Sequence, residues 1–369
     1  MGFSIKEANN SDKNIIQDFN DELKSNGYNF KIPFSNDNLS NNDFILKKNF
    51  ILIENNNLVR GGYTLKQQWF KINDDILKIG YYYNPATAGL FNKRYNICGL
   101  ILLNDAVKKN SYLFSLGMGS YSNSLPKLLK TLKWKLKKVP FFFKVINPSS
   151  FLKNINYFKN SKLNTLLIYI LEKTGIGWVL IKFIFLLTSS VANIFHKRDE
   201  IECEKVNFFN DDINNIWEKS KKNNSFIALR NNEYINFLYK DKKFIKLKFI
   251  EKNEIIGWSI AVCNKVNNHK HFGNMNLGSI IDCLALKDKE VNIIKKTLKI
   301  LETEGADLVV SNQSHIRWKK AFWKNGFLRG LSNFIFASSE PLSKKLGFQN
   351  KLNDDMHITR GDGDGPINL

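Results

Sequence analysis

Residues 50–83 have the sequence FILIENNNLVRGGYTLKQQWFKINDDILKIGYYY. Three runs rich in aliphatic and aromatic residues alternate in it with two short turns rich in Asn and Asp. Such runs are typical of strands joined by tight hairpins. The runs are Phe50–Ile53, Leu58–Ile72 and Ile76–Tyr83. The stretch therefore predicts a β-meander, an antiparallel sheet built from consecutive strands.

The chain after the meander alternates between helical and strand patterns. Its predicted elements are a helix over Lys93–Lys108, a strand over Tyr112–Leu116, a helix over Pro126–Lys133 and a strand over Pro140–Val145. The second half repeats this order. Its predicted elements are the strands Phe244–Ile250, Ile255–Cys263, Ser279–Leu286, Asp307–Val310 and Asn333–Ala337, and the helices Val291–Glu304 and Ile316–Lys324. The pattern predicts an α/β fold in each half.

Two local matches indicate that the halves are copies of one unit. The motif Ile-Glu-x-Asn-x followed by two aliphatic residues begins at Ile53 and again at Ile250. Four further residues recur at a constant offset of 193: Trp134, Phe141, Phe143 and Pro148 match Phe327, Phe334, Phe336 and Pro341. Repetition of this kind is typical of duplicated units. We expect a first domain over 1–150, an apolar helical connector over 151–199, a second domain over 200–345 and a tail over 346–369.

The order of elements and one motif resemble the acyl-CoA N-acyltransferase (GNAT) family. The motif is WKKAFWKNGF, residues 318–327, which is similar to the family's helix that ends in an aromatic residue, three residues and Gly-Phe. The resemblance implies two tandem GNAT-like mixed-sheet domains, of the kind associated with bacterial surface-glycan biosynthesis. In many family members the aromatic residue is a Tyr that protonates the leaving thiolate. Here it is Phe322, matched by Leu129 in the first half, and neither can donate a proton.

The same resemblance implies acyl-CoA as co-substrate, with acetyl-CoA as the first choice, and no metal. The family binds the CoA pyrophosphate at a glycine-containing loop that opens the central helix, where backbone N–H groups form an anion site. The candidate residues are Gly89, Asn92, Lys93 and Arg94, with Gly99 inside the helix. The matching residues 287–290 of the second half contain no glycine, so the first half is the expected CoA site. The alternative is that 85–94 is an ordinary connection.

Asp282 is the candidate catalytic base or amine-binding carboxylate. It lies in an apolar strand, where a charge is costly to bury unless it is paired or functional. The alternative is a structural Asp whose oxygens accept from backbone N–H groups. At the C-terminus Asp362 and Asp364 alternate with glycines, and with Tyr82 they are expected to contact the acceptor. The alternative for that segment is a polar turn at a frayed end.

The net charge of +21 suits a polyanionic partner. No nucleic-acid-binding motif is present, so nucleic acid is not expected. Residues 163–195 are the most hydrophobic stretch, but Lys182 would be expensive in a bilayer. A helical hairpin packed on the domains, or a helix lying in the membrane interface, is therefore expected. The Lys-rich run 127–138 fits either anionic lipid or a solvated face.

Four scattered cysteines without a CxxC pair favour a reducing, cytoplasmic location, with association at the inner membrane face left open. The expected activity is transfer of an acyl group from acyl-CoA to a small-molecule amine, with an amino sugar of a surface glycan as the suggested acceptor. Two alternatives stay open. One is a Fem-like aminoacyl transferase acting on a lipid-linked precursor, and the other is a catalytically degenerate pair that only binds a ligand.

Overall fold

The computed structural model describes residues 2–33, 44–55, 57–156, 201–347 and 353–363, with Thr174 and Val179. The strands are β1 (Phe3–Glu7), β2 (Ile45–Glu54), β3 (Leu58–Ile72), β4 (Asp75–Thr87), β5 (Leu113–Met118), β6 (Lys135–Lys138), β7 (Phe141–Val145), β8 (Ile201–Val206), β9 (Phe226–Ala228), β10 (Ile245–Glu251), β11 (Glu254–His269), β12 (Gly273–Ala285), β13 (Leu308–Asn312), β14 (Leu328–Gly330), β15 (Phe334–Ser338) and β16 (Met356–His357). The helices are α1 (Lys13–Ser25), α2 (Cys98–Lys109), α3 (Ser124–Thr131), α4 (Pro148–Asn154), α5 (Asn214–Lys221), α6 (Asn232–Leu238), α7 (Glu290–Thr303), α8 (Ile316–Lys324) and α9 (Glu340–Lys345). The predicted connector, apart from its first residues 151–156, Thr174 and Val179, lies outside the described residues.

The chain forms two compact units, and each is assembled from separate stretches of sequence. The first unit comprises Met1–Lys138, Ser225–Leu229 and Asn333–Asn353. The second unit comprises Val139–Asn224, Arg230–Ser332 and Asp354–Leu369.

The first unit contains a mixed sheet in the order β1-β2-β3-β4-β5-β15-β6, with β9 also paired to β3. Its pairs are antiparallel except β4 with β5, which is parallel. The predicted meander forms β2, β3 and β4. Helices α1 and α2 cover one face of the sheet and bury Phe19, Leu23, Leu102 and Leu103. Burial of these apolar side chains is the main favourable contribution to the stability of the unit.

The second unit contains a seven-stranded mixed sheet in the order β14-β7-β13-β12-β11-β10-β8. It too is antiparallel except for one parallel pair, β12 with β13. Helices α7 and α8 cover its core with Ile293, Ile294 and Phe322. Each unit thus has an antiparallel meander followed by a parallel strand, and the two sheets together form a mixed α/β fold, as the sequence predicted.

Each sheet includes an aromatic strand from the opposite half of the sequence, and the first unit's sheet also takes β9 from the second half. We expected the aromatic strand 140–145 in the first domain, but β7 pairs with β13 and β14 of the second unit. Its counterpart at the offset of 193 residues, β15, pairs with β5 and β6 of the first unit. The two aromatic strands therefore occupy the opposite sheets from those that chain order suggests, because short aromatic strands carry no local signal for which sheet they join.

None of the helices in the described part of the chain has the length and apolar character needed to cross a bilayer.

Candidate functional site

The parallel strands β4 and β5 of the first unit separate after a short region of pairing. Their ladder covers only Gly80 with Leu113 and Tyr81 with Phe114. Beyond it β5 pairs with β15, while β4 runs on beside β3 as far as Thr87. The facing edges of the two strands therefore carry no ladder hydrogen bonds to each other past Tyr81. The Ser115 hydroxyl still donates to the Tyr82 carbonyl at 2.5 Å, so the opening between the strands lies beyond Tyr82.

The predicted CoA-binding residues follow directly after β4. Gly89 lies in a 3-10 turn over Ala88–Leu90, and Lys93 and Arg94 lie in a second turn, where Asn92 Oδ1 accepts from Arg94 N at 3.1 Å. The predicted helix over Lys93–Lys108 is thus divided, because this side-chain cap produces a separate turn before α2 begins at Cys98. Lys93 and Arg94 are exposed, so both cations are available to a ligand.

The two predicted glycines both have packing roles. A Cβ at Gly89 would lie 2.7 Å from the carbonyl oxygen of Tyr95, so the turn needs a glycine for this close approach of backbone. A Cβ at Gly99 would lie 3.3 Å from the side chain of Leu128. These contacts explain the glycines without a ligand, and CoA binding at this loop stays a prediction.

The first turn of α2 has features that favour a bound anion. Ile97 occupies the N-cap position and gives no side-chain hydrogen bond to the first turn, and no acidic residue lies in that turn. The unpaired N–H groups and the positive end of the helix dipole favour an anion there. At the matching helix α7 the first turn contains Glu290, a buried carboxylate whose pKa is raised by burial. The second helix therefore carries an acidic residue in its own first turn, whereas the acid beside the start of α2 is Glu54, and burial together with this carboxylate raises the pKa of the Cys98 thiol.

Arg60 and Glu54 form an ion pair just before α2. The Arg60 guanidinium donates to Glu54 at 2.8 Å and lies 4.6 Å from the ring centroid of Tyr95, while that of Arg94 lies 5.9 Å from the same centroid. Hydrogen bonding from Arg60 lowers the pKa of the Glu54 carboxyl. Sequence reasoning missed Arg60, which sits in the meander and reaches the loop only through the fold.

Tyr82 lies on β4, one residue past Tyr81, the last residue of β4 that pairs with β5. Its side chain is 1% exposed and its ring centroid is 5.1 Å from that of Tyr63. Among the described residues the Tyr82 hydroxyl has no hydrogen-bond partner, whereas Tyr63 donates to Asp105 at 2.6 Å. Burial raises the pKa of Tyr82, so the hydroxyl keeps its proton at neutral pH.

In the second unit the corresponding opening is filled by the chain itself. Strands β12 and β13 pair from Leu277 with Leu308 to Ile280 with Ser311 and then separate. Beyond the end of β13, Gln313 bridges to Thr359, and Ser314 N donates to the carbonyl of Ile358 at 3.1 Å. Residues 356–363 therefore contact Asp282 of β12 and the two residues that directly follow β13. We predicted that the tail contacts the acceptor, with a frayed polar turn as the alternative, and residues 356–363 are in fact a mostly buried element of the unit rather than a frayed end.

Asp282 and Asp362 are brought together by a residue that sequence reasoning missed, Arg230. Arg230 Nε donates to Asp282 Oδ1 at 3.1 Å, and its Nη2 donates to Asp362 at 2.9 and 3.1 Å. The three side chains are 1%, 2% and 4% exposed for Arg230, Asp282 and Asp362. The signal for Arg230 was a lone charge directly after the apolar run Phe226–Leu229. Asp364 lies outside the described residues.

The oxygens of Asp282 are already occupied. Besides Arg230, Oδ1 accepts from the backbone of Cys283 at 2.9 Å and lies 3.8 Å from His357 Nε2, while Oδ2 accepts from the Tyr239 hydroxyl at 3.1 Å. Burial acts to raise the pKa of Asp282, but Arg230 and His357 outweigh it and lower the pKa below its ordinary value. A carboxylate so held is a weak base, although its catalytic role remains a prediction without a direct test.

The positions that align with the family's proton donor are buried in the cores. Phe322 stacks on Phe142 with 5.1 Å between ring centroids, and Leu129 has no exposed surface. Neither position can supply a proton to a thiolate. Among the described residues no cluster of His, Cys, Asp and Glu could hold a metal ion.

Comparison with known proteins bears on the fold. No protein-family model matches the sequence, and no curated protein matches it. Among solved structures the chain is similar to a GCN5-related N-acetyltransferase from Anabaena variabilis ATCC 29413, with a TM-score of 0.53, 8% identity, and coverage of 91% of this chain and 72% of that one. It is also similar to a protein of unknown function from Enterococcus faecalis V583 designated "Probable N-Acyltransferase", with a TM-score of 0.52, 7% identity, and coverage of 93% and 74%.

A third similar structure is the glucosamine N-acetyltransferase region of a fungal multi-domain GH3 beta-N-acetylglucosaminidase. Its TM-score is 0.51 and its identity 9%, and the match covers 91% of this chain and 38% of that one. At these identities the likeness concerns the fold. The chain has the GNAT-like acyltransferase fold.

Proposed function

We infer that the protein is an N-acyltransferase that takes its acyl group from acyl-CoA and binds that donor in the first unit. The observation that carries this proposal is the opening between β4 and β5 beside the uncapped start of α2. Beyond Tyr82 the edge of β4 has no ladder pairing with β5, which suits a chain-like donor, and the N–H groups of α2 suit its pyrophosphate. In the second unit the opening is filled by residues 356–363, and α7 begins with Glu290.

The chemistry needs a neutral amine, a stabilised oxyanion and a proton for the departing thiolate. Tyr82 is our candidate for a hydrogen-bond donor, because its hydroxyl is protonated, desolvated and without a partner among the described residues. A donor in a water-poor setting is stronger than one in bulk solvent. We assign Tyr82 to the reacting carbonyl or thiolate. The base that accepts the amine proton is not assigned, since Asp282 is engaged by Arg230 and Tyr239.

An amino sugar is the acceptor that we propose to try first. The similarity to the glucosamine N-acetyltransferase region supports this choice at the level of the fold. Acetyl-CoA is the first donor to test for the same reason. The same proposal includes a role in surface-glycan synthesis, which rests on the family resemblance, and a cytoplasmic setting, which rests on the four scattered cysteines.

The test is binding followed by turnover. Acetyl-CoA and free CoA should each raise the melting temperature of the full chain by mass action. Arg94→Glu should weaken CoA binding about tenfold or more, because it places a carboxylate beside the pyrophosphate. Lys31→Glu is the control, since Lys31 is also an exposed cation of the first unit. Release of free thiol with glucosamine then measures activity. No stabilisation by either compound contradicts the proposal.

A ligand-binding protein without turnover is the second candidate. The buried Phe322 and Leu129, in place of a proton-donating Tyr, favour it. Stabilisation by CoA together with no thiol release across a panel of amines would establish this alternative. Loss of activity in Tyr82→Phe with CoA binding retained would instead support the enzyme.

A further inference from the structure

The buried turn near the C-terminus leaves one side chain partly open to solvent. Residues 356–363 are buried with a single exception, Arg360, which is half-buried. Met356, Ile358 and Thr359 are each at most 1% exposed. The segment is therefore an internal element of the second unit that presents one cation.

The backbone around Arg360 is fixed from several sides. Thr359 Oγ1 accepts from Gly361 N at 3.2 Å, and Asp362 Oδ2 accepts from Thr359 N at 2.8 Å, which closes a capping box over the turn. Asp362 is in turn held by Arg230. A Cβ at Gly361 would lie 2.1 Å from the Tyr239 hydroxyl, so the turn is packed as closely as a glycine allows. The backbone atoms that carry the Arg360 side chain are therefore held in one position.

Arg360 differs from Arg230 in having no anion. Arg230 holds two buried carboxylates, whereas Arg360 has no hydrogen-bond or ion-pair partner among the described residues. Burial lowers the pKa of Arg360 to about 10, so the half-buried guanidinium is partly desolvated and still charged at neutral pH. A desolvated charge without a partner opposes folding. A rigid turn that nevertheless keeps such a charge is best explained by a ligand that supplies the missing anion.

We propose that Arg360 is an anion-binding residue that receives a phosphate or carboxylate group of a ligand of the second unit. The planar guanidinium matches both groups with two parallel N–H···O bonds, which the point charge of a lysine cannot reproduce. The anion has two sources, a phosphate of the CoA donor or an anionic group on the acceptor. The proposal stands without the acyltransferase assignment, because it needs only an anion.

The experiment compares three variants of the full chain with the wild type. Arg360→Gln removes the charge, Arg360→Lys keeps it without the planar fork, and Arg329→Gln removes an exposed arginine of the same unit as a control. Melting temperature is measured in sodium chloride and in sodium phosphate at equal ionic strength, so that screening is constant. Affinity for CoA is measured by calorimetry.

Without ligand, Arg360→Gln should melt at the wild-type temperature or above it, because it removes an unpaired desolvated charge. Phosphate should stabilise the wild type and Arg329→Gln, and this stabilisation should be lost in Arg360→Gln and reduced in Arg360→Lys. A CoA affinity at least tenfold weaker in Arg360→Gln identifies the donor as the source, and an unchanged CoA affinity identifies a separate anion. A lower melting temperature for unliganded Arg360→Gln, or equal phosphate stabilisation of Arg360→Gln and wild type, overturns the proposal. If phosphate binds in this way while CoA does not bind at all, the anion site stands and the proposed donor fails.

Discussion

Replacement of Arg230 by Met tests whether the buried Arg230–Asp282–Asp362 cluster holds the second unit together. The substitution keeps much of the side-chain volume and removes a cation that donates to both carboxylates at 2.9–3.1 Å. Asp282 and Asp362, which are 2% and 4% exposed, would then be buried without a counter-charge. Thr359 would also lose a guanidinium contact at 3.4 Å.

The expected cost is large and depends on pH. Removing one partner of a buried ion pair costs about 3–5 kcal/mol, and here two carboxylates lose the same partner. We therefore expect at least about 4 kcal/mol of lost unfolding free energy at pH 7, against about 5–15 kcal/mol for a typical domain. In Arg230→Met the pKa of Asp282 loses the lowering effect of Arg230 while burial still raises it, so the penalty of the ionised carboxylate is largest at neutral and higher pH. The deficit relative to wild type should shrink as the pH falls toward 5.

Hydrogen exchange measured by peptide can assign the loss to the second unit. Protection should fall in peptides from β12 and stay close to the wild-type value in peptides from β3. The variant Arg230→Met/Asp282→Asn/Asp362→Asn should recover much of the loss, because it removes the uncompensated charges as well. Arg329→Met is the control, with an expected change within about 0.5 kcal/mol for an exposed position. A loss below 1 kcal/mol in Arg230→Met, or no recovery in the triple variant, would refute the reasoning.

Three further predictions concern Gly361, His315 and Gly89. Gly361→Ala should lower the free energy of unfolding, measured with urea, by about 1–3 kcal/mol, because its Cβ would lie 2.1 Å from the Tyr239 hydroxyl. An unchanged urea midpoint would show that the turn can relax. Burial lowers the pKa of His315 to about 3 from 6.5, so the unfolded state takes up the proton first as the pH falls. The free energy of unfolding should therefore decrease below pH 6.5, by roughly 4 kcal/mol near pH 3. Urea midpoints at pH 7, 5 and 4 should depend less on pH in His315→Asn than in the wild type, and an equal pH dependence would argue against this origin. Gly89→Ala should lower the free energy of unfolding by about 1–3 kcal/mol and weaken CoA binding, because its Cβ would lie 2.7 Å from the Tyr95 carbonyl oxygen. An unchanged CoA affinity would show that the loop is not the pyrophosphate site.

Local structure was largely predictable from the sequence. Strand β3 and helix α8 have the bounds that their patterns predicted, Leu58–Ile72 and Ile316–Lys324. Both carry strong local signals, a long aliphatic and aromatic run between turns and an amphipathic face. The start of α2 was misjudged by five residues, because the cap that Asn92 provides to Arg94 creates a separate turn that periodicity does not show.

Long-range partners could not be predicted. Asp282 was recognised as a charge in an apolar strand, but its partner Arg230 lies 52 residues away and Asp362 lies 132 residues from that arginine. Spacing in a sequence does not show which of many charges will meet in a core. The same limit applies to Arg60 beside the loop before α2 and to the exchange of β7 and β15, since each depends on the path of the whole chain.

The exchange of β7 and β15 sets the order in which the protein can fold during synthesis. Strand β5 ends at Met118, yet its antiparallel neighbour β15 is complete only at Ser338, about 220 residues later. At about 5–20 residues per second, the ribosome needs about 10–45 seconds to deliver that strand. Until then the nascent first sheet keeps an apolar strand with an open edge, which can pair with another chain. The newly made protein should therefore depend on chaperones that shield strand edges. A stop codon in the second half but before β15 should leave an aggregating fragment, even though most of the first unit has been made.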